Sequence, residues 1–410
     1  MKRQLLITLF LFVASIHAWS NGILIPMDES QRNHLKAYGI TYFMLQKEVP
    51  VDWLLNYRGG SFLMEYSPLA ETECKLRGVS YEVISTAAIN RILNELSSPA
   101  INMSAVRLEK VPRIAVYSPK SEFILDETDA VILVLDYAEI PYDIIYDEEI
   151  HNNALARYDW VHLHHEDFTG QPGRSRWRES SILEYKAQEV TATKLGYANV
   201  PELKLEIAKK IKSFVAAGGY LFAMCSAAES IDVALAMNGS EIYELSDEEM
   251  HDTSRLDYSQ TFAFENFSIE PPYSRRFSDI NVGRRDFMPS GDYFSLFTFS
   301  AKWDLIPSLL TQNHTHVIRE FSGLTTAFSK DLVKPDVLLL GENRKERNVR
   351  YMFSELGKGF WTFYSGHDPE GFPGRGRTPT DLNLHPNSPG YRLILNNVLF
   401  PSAQKKKQKT

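Results

Sequence analysis

Gly218-Gly219-Tyr220-Leu221-Phe222-Ala223-Met224-Cys225-Ser226-Ala227-Ala228 is the stretch on which the fold turns. Five residues without a charge follow two glycines, and a cysteine then opens a run of small residues. An apolar run of this length, bounded by a turn signal, reads as a strand buried on both faces, the habit of parallel sheets covered by helices. Upstream, Leu203, Leu205, Ile207, Ile211, Phe214 and Val215 recur at helical spacing and predict a helix over Glu202–Ala217, with Gly218-Gly219 as its left-handed stop. Downstream, helix-forming residues continue to Ala236 and stop at Asn238-Gly239.

Further out the same alternation repeats. Arg113–Tyr117, Asp143–Tyr146 and Trp160–His164 read as short strands, with a helix near Thr128–Ala138 between the first two. Val337–Leu340, Val349–Phe353 and Phe360–Tyr364 read as closing strands, the last two joined as a hairpin through Gly357-Lys358-Gly359, and Tyr391–Leu399 reads as a final helix. Residues 21–110 form an N-terminal α/β subdomain: a strand at Ile23–Pro26, a helix over Gln31–Lys47, strands in Val51–Met64 broken at Gly59-Gly60, and a helix around Ala87–Leu96. Within the main domain, 111–400, residues 240–335 break the rhythm. They are rich in aromatics and arginines, among them Tyr258, Phe262, Phe264, Tyr273, Arg275, Arg276, Phe277, Arg284, Arg285, Phe287, Tyr293 and Phe294. Such an insertion serves as a binding loop or packs a small satellite core.

The chain has 410 residues, 44% hydrophobic and 23% charged, values that exclude fibrous and wholly disordered classes. Net charge is −8, and six of the basic residues lie in the two termini, so the body is more acidic still and poorly suited to nucleic-acid phosphates. Residues 1–20 have a signal-peptide layout: Lys2 and Arg3, the apolar run Leu5–Ala14, then small residues at Ala18 and Ser20. The run is too short to span a bilayer, so an exported protein, periplasmic or secreted, without a stable membrane span is expected. Residues 401–410 read as a basic, disordered tail.

The chemistry gathers at strand ends. A thiol at the bend after a strand and at a helix N-terminus meets the positive end of the helix dipole, which favours the thiolate, so Cys225 is the candidate nucleophile. His367, just beyond the last strand and after Gly366, is the candidate base. Its orienting acid is Glu370, Asp368 or Glu166, with Glu370 preferred. The run His162-Leu163-His164-His165-Glu166-Asp167 is the most polar strand end in the chain. Alternation places His162, His164 and Glu166 on one face and His165 and Asp167 on the other. A His-x-His pair with a carboxylate or His367 can chelate zinc, but neither a Cys cluster nor an HExxH motif supports a metal, so none is assigned. His164, His165, Glu166, Asp167 and Ser226 are read as substrate contacts. No cofactor is called for. Cys74, the other cysteine, leaves a disulfide to Cys225 open.

The segments 113–238 and 336–370 resemble the class I glutamine amidotransferase-like superfamily, in particular its ThuA-like branch. The resemblance rests on Tyr158-Asp159-Trp160-Val161-His162, Gly218-Gly219, the bend at Cys225, and Gly357-Lys358-Gly359 leading to Gly366-His367-Asp368. Tyr57-Arg58-Gly59-Gly60-Ser61 and His164–Gly170 are similar to an exported family usually named asparagine synthetase B. The glycines that flank the superfamily's cysteine are Ala223 and Ala227 here. The resemblance implies a flavodoxin-like α/β sandwich with a mainly parallel sheet, whose strand ends bring Ser118, Asp167, Cys225 and His367 together. The leading functional expectation is an exported cysteine-dependent amidase or related hydrolase acting on a small-molecule or carbohydrate substrate. A noncatalytic protein binding carbohydrate or another small ligand through the aromatic insertion is the alternative, and a glutamine-dependent amidotransferase is the reading the family name implies.

Overall fold

A computed structural model describes residues 21–118, 129–171, 179–238, 253–271, 274, 276–283, 293–310, 315–321, 323–371 and 379–403. The expected signal segment at 1–20, residues 404–410 of the expected tail, and Tyr273, Arg275, Arg284, Arg285 and Phe287 lie outside these; the start of that tail is ordered instead, in a 3-10 turn over Phe400–Ser402 with Ser402 buried.

The first ninety described residues build β1 (Asn21–Ile25), α1 (His34–Gln46), β2 (Val51–Leu55), β3 (Ser61–Glu65), α2 (Pro68–Leu76), β4 (Glu82–Ser85), α3 (Thr86–Ser97) and β5 (Ser104–Leu108). The five strands form an antiparallel sheet in the order β4-β1-β3-β2-β5. Next come β6 (Ile114–Tyr117), α4 (Ala130–Ala138), β7 (Asp143–Ile145), α5 (Asp147–His151), β8 (Trp160–Leu163), α6 (Glu179–Leu195), α7 (Val200–Ala217), β9 (Tyr220–Met224) and α8 (Cys225–Met237). The chain closes with β10 (Tyr293–Leu296), α9 (Pro307–Leu310), β11 (Val317–Arg319), β12 (Phe328–Ser329), β13 (Leu338–Asn343), β14 (Asn348–Leu356), β15 (Gly359–Tyr364) and α10 (Pro389–Leu399).

The second sheet has ten strands, β11-β10-β13-β14-β15-β9-β8-β6-β7, with β12 on β14. From β15 to β7 every pairing is parallel. From β15 to β11 every pairing is antiparallel. The sheet is therefore mixed and not mainly parallel. The extra half comes from the 240–335 insertion, which supplies β10, β11 and β12, and from the hairpin β14-β15, whose two-residue connection can only return antiparallel.

Both faces of this sheet are covered. Along β9, Tyr220, Phe222 and Met224 join an apolar cluster with α1, α4 and α10, whereas Leu221 and Ala223 join a second with α7 and α8. The first cluster runs without a break from Ile23 to Phe400, so residues 21–110 share their core with the rest of the chain. Arg392, fully buried in α10, ties the two parts together by donating from Nη2 to the Gly59 carbonyl at 2.7 Å. Among the described residues no helix is long and apolar enough to cross a membrane.

Candidate functional site

Three adjacent parallel strands, β8, β9 and β15, end side by side, with Leu163 opposite Ala223 and Met224 opposite Tyr364. The residues that follow them are His164, Cys225 and, three positions past Tyr364, His367. The carboxyl ends of parallel strands are where such sheets place their ligands.

Cys225 is the bend itself. Its φ is +49°, a left-handed conformation that only a few per cent of non-glycine residues adopt. The bend is made with alanines at 223 and 227, and the cysteine itself takes the left-handed conformation. Holding it there costs about 1–3 kcal/mol, and such strain collects at functional sites.

The thiol's environment departs from the sequence expectation. Cys225 is 1% exposed, and burial pushes its pKa up. Backbone N–H groups of Thr325, Leu324 and Ser226 act in the opposite direction without winning, so the resting group is the neutral thiol. Cys74 and Cys225 are both free and buried, which removes the disulfide.

The segment 323–325 that covers the sulfur also touches His367. A Cβ at Gly323 would sit 2.8 Å from the backbone nitrogen of His367, and Gly366 donates its N–H to the Thr325 carbonyl at 2.7 Å. One short loop therefore runs beside both Cys225 and the His367 backbone.

Every other candidate finds a definite place. Ser226 donates from Oγ to the His165 carbonyl at 3.1 Å. Glu166 is buried, accepts the His164 N–H at 2.7 Å, and is pushed up in pKa by that burial against the opposing pull of His165. Asp167 accepts from both the backbone and the hydroxyl of Thr169, an Asx turn. Asp368 is buried among the N–H groups of Glu370 and Gly371 and the hydroxyls of Thr380 and Tyr391. Burial pushes its carboxyl up. The Glu370 carboxylate lies 3.3 Å from Nδ1 of His385. Ser118 donates its N–H to the Ile145 carbonyl, extending the β6-β7 pairing.

Strand alternation holds for His162 and His164, which share a face with Nε2 of His162 3.3 Å from Nδ1 of His164, and fails beyond them. The strand ends at Leu163 and the chain bends at His165, so neighbouring rings converge: His164 lies 5.4 Å from His165 and 4.2 Å from His367, centroid to centroid. His162 also packs against Trp160 and Phe222, which stack on each other, and places Nδ1 3.0 Å from the Phe222 carbonyl. Asp129, the residue before α4, was not singled out in the sequence. It accepts the N–H groups of Val131 and Ile132 at the helix start, and its carboxylate also lies 3.1 Å from His164 Nδ1 and 3.4 Å from His162 Nε2. Burial pushes Asp129 up, but the two imidazoles outweigh it and hold the carboxyl well below the usual range. An acid at a helix start facing a His-x-His strand end was the available signal. The contact spans more than thirty residues of sequence, so spacing could not reveal it.

Helix α8 organises the surroundings from one face. Cys225, Glu229 and Asp232 lie at i, i+4 and i+7. Glu229 accepts from the N–H groups of Phe277 and Ser278 and from the Thr325 hydroxyl. Asp232 accepts the N–H groups of Phe262, Ala263 and Phe264, and burial pushes its carboxyl up to about 6 despite them. The aromatic insertion is thereby moored to the helix that carries the thiol. Phe262, Phe264 and Phe277 are buried, with Phe262 packed on Trp361 and Phe264 on Phe328; instead of a separate satellite core they join the main apolar cluster of Leu221, α7 and α8, and they do not display faces to a sugar. An open cleft of about 430 Å³ lies elsewhere, between Thr169, Tyr197, Pro201, Glu206 and Met237, and includes neither Cys225 nor the histidines.

Comparison with known proteins adds little to this geometry. No family model and no curated protein matches the chain. Among solved structures, two cytoplasmic proteins of Salmonella typhimurium align over 72% and 71% of this chain and 100% and 99% of their own, at 12% and 13% identity and TM-scores of 0.37 and 0.36. A GH42 β-galactosidase aligns over 62% of this chain and 27% of its own, at 11% identity and a TM-score of 0.27. Likenesses this weak carry no argument about activity.

Proposed function

We propose that the protein is an exported hydrolase of the amidase type, built on a flavodoxin-like, amidotransferase-like sandwich, that acts on a small polar substrate at the ends of β8, β9 and β15. The observation that carries this reading is the left-handed Cys225 at the start of α8, beside the adjacent ends of β8 and β15. A substrate that displaces segment 323–325 gives its carbonyl access to the thiol. An imidazole of the neighbouring cluster takes the thiol proton as the sulfur attacks, and freed N–H groups become donors to the developing oxyanion. Because the resting thiol is neutral, proton removal belongs to the attack itself. Collapse of the adduct breaks the carbonyl carbon's bond to nitrogen or oxygen as the imidazolium returns its proton to the leaving amine or alcohol, and water then hydrolyses the thioester to the free acid and the thiol.

The test uses the purified chain with glutamine, asparagine and p-nitrophenyl acetate, following ammonia or nitrophenol. Cys225→Ala is expected to lower turnover by roughly 100-fold or more, since it removes the attacking atom. Iodoacetamide at neutral pH is expected to label Cys225 more slowly than a free thiol and faster once a substrate analogue is bound. Undiminished turnover in Cys225→Ala would reduce this cysteine to a mooring point for the 323–325 segment, in line with Glu229 and Asp232 on the same helix face.

A further inference from the structure

We infer that His164, His165 and His367 form a binding site for one divalent transition-metal ion, zinc being the best match, with Asp129 as the outer carboxylate that sets the His164 ring. The inference rests on the strand ends being the working site, as the proposed function does, but competes with its imidazole base, because a ring nitrogen that holds a metal has no lone pair left to take the thiol proton.

Two independent observations support it. Ring nitrogens of the three histidines lie within 4.8 Å of one another. His164, 1% exposed, also has an Nε2 atom that is buried without a hydrogen-bond partner. Its other nitrogen, Nδ1, is 3.1 Å from Asp129. With the Nδ1 proton directed to that carboxylate, Nε2 carries a lone pair into a space shared with two more imidazoles. A buried lone pair left unused is costly in a protein interior, whereas a ligand-to-carboxylate relay of this kind is the usual outer support of a histidine-bound metal.

The local chain path serves the same end. The bend at His165 places two consecutive side chains on one side, which a continued strand would forbid. Gly323 and Gly366 bring His367 in closely, since a Cβ at either would collide with its neighbours. The donors are nitrogens, which suit zinc and its neighbours in the first transition row better than magnesium or calcium. A tetrahedral ion with Zn–N bonds of about 2.0–2.1 Å needs ligand atoms about 3.4 Å apart, so the rings close inward slightly on loading. Three protein ligands leave a fourth position open, the pattern of catalytic rather than structural zinc.

The decisive measurement is calorimetric titration of the chelator-stripped full chain with zinc chloride alone, with metal content measured after gel filtration. Cobalt substitution provides a visible spectrum for the ligand set. The expected result is one ion per chain at micromolar affinity or tighter. His164→Ala and His367→Ala should each weaken binding at least 100-fold. Asp129→Asn, which keeps all three ligands, should weaken it about 10–100-fold. Circular dichroism on each variant separates loss of a ligand from loss of fold, and His165→Gln supplies a ligand change at a half-buried position if the buried variants do not fold. Cys225→Ala should bind zinc as the parent does, so a negative outcome for the thiol mechanism leaves this site standing. No stoichiometric zinc in the parent, or equal affinity in all the folded histidine variants, overturns the inference.

Discussion

Asp147→Asn should lower the unfolding free energy by about 3–5 kcal/mol, read as a fall in the denaturant midpoint at unchanged slope. Asp147 opens α5 beneath the β6 end of the large sheet and is 1% exposed, as is Lys204 on α7. The Lys204 ammonium donates to both Asp147 oxygens, at 2.8 and 3.1 Å, and to the Tyr117 hydroxyl at 2.8 Å. Tyr117 in turn donates to Asp147 at 2.6 Å and stacks on Phe168. An ammonium in that position without a counter-charge must either lose its proton or draw in water, and both cost several kcal/mol. The amide of asparagine preserves shape and removes only the charge, which isolates the electrostatic part. A double change, Asp147→Leu with Lys204→Met, should recover much of the loss, since a matched apolar pair avoids desolvating two ions. A loss below about 1 kcal/mol for the single change would show that water reaches this pair.

Gly59→Ala should cost at least about 3 kcal/mol, enough to lower soluble yield. Gly59 has φ +78°, and a Cβ there would stand 2.1 Å from the Met27 carbonyl oxygen. The backbone must therefore move, and the Gly59 carbonyl that receives Arg392 moves with it. Strain, clash and loss of a buried charge-assisted hydrogen bond all fall on one residue. Gly78→Ala is a useful control: it too has positive φ, +70°, but nothing lies within 4 Å of its Cβ. It should cost only the backbone term, about 1–2 kcal/mol. Thermal unfolding of the two variants side by side checks the difference.

The parallel half of the sheet could be read directly because each strand is a short apolar run between turn residues. β6, β8, β9, β15 and the helix α7 all fall close to where periodicity places them. The antiparallel half could not, since β11 and β12 have three and two residues and owe their existence to partners far along the chain. Helix α6 shows almost no apolar stripe, with Ile182, Leu183 and Val190 exposed, so period counting passes over it. At the site, the order of strands places His164, Cys225 and His367 just past three adjacent strand ends. The side chains needed tertiary information. His165 depends on a bend that ends the alternation, Asp129 on a helix start across the sheet, and Glu370 faces His385 inside a loop whose path no local rule predicts.

The polar face of α8 has a practical bearing on any attempt to recombine this protein with a relative. Backbone around 262–264, 277–278 and 324–325 hangs from Asp232, Glu229 and Cys225 in turn. Exchanging that peripheral excursion alone would alter the solvation of a sulfur more than thirty positions upstream. A chimera that keeps its reactivity must inherit the helix and its passengers as one cassette.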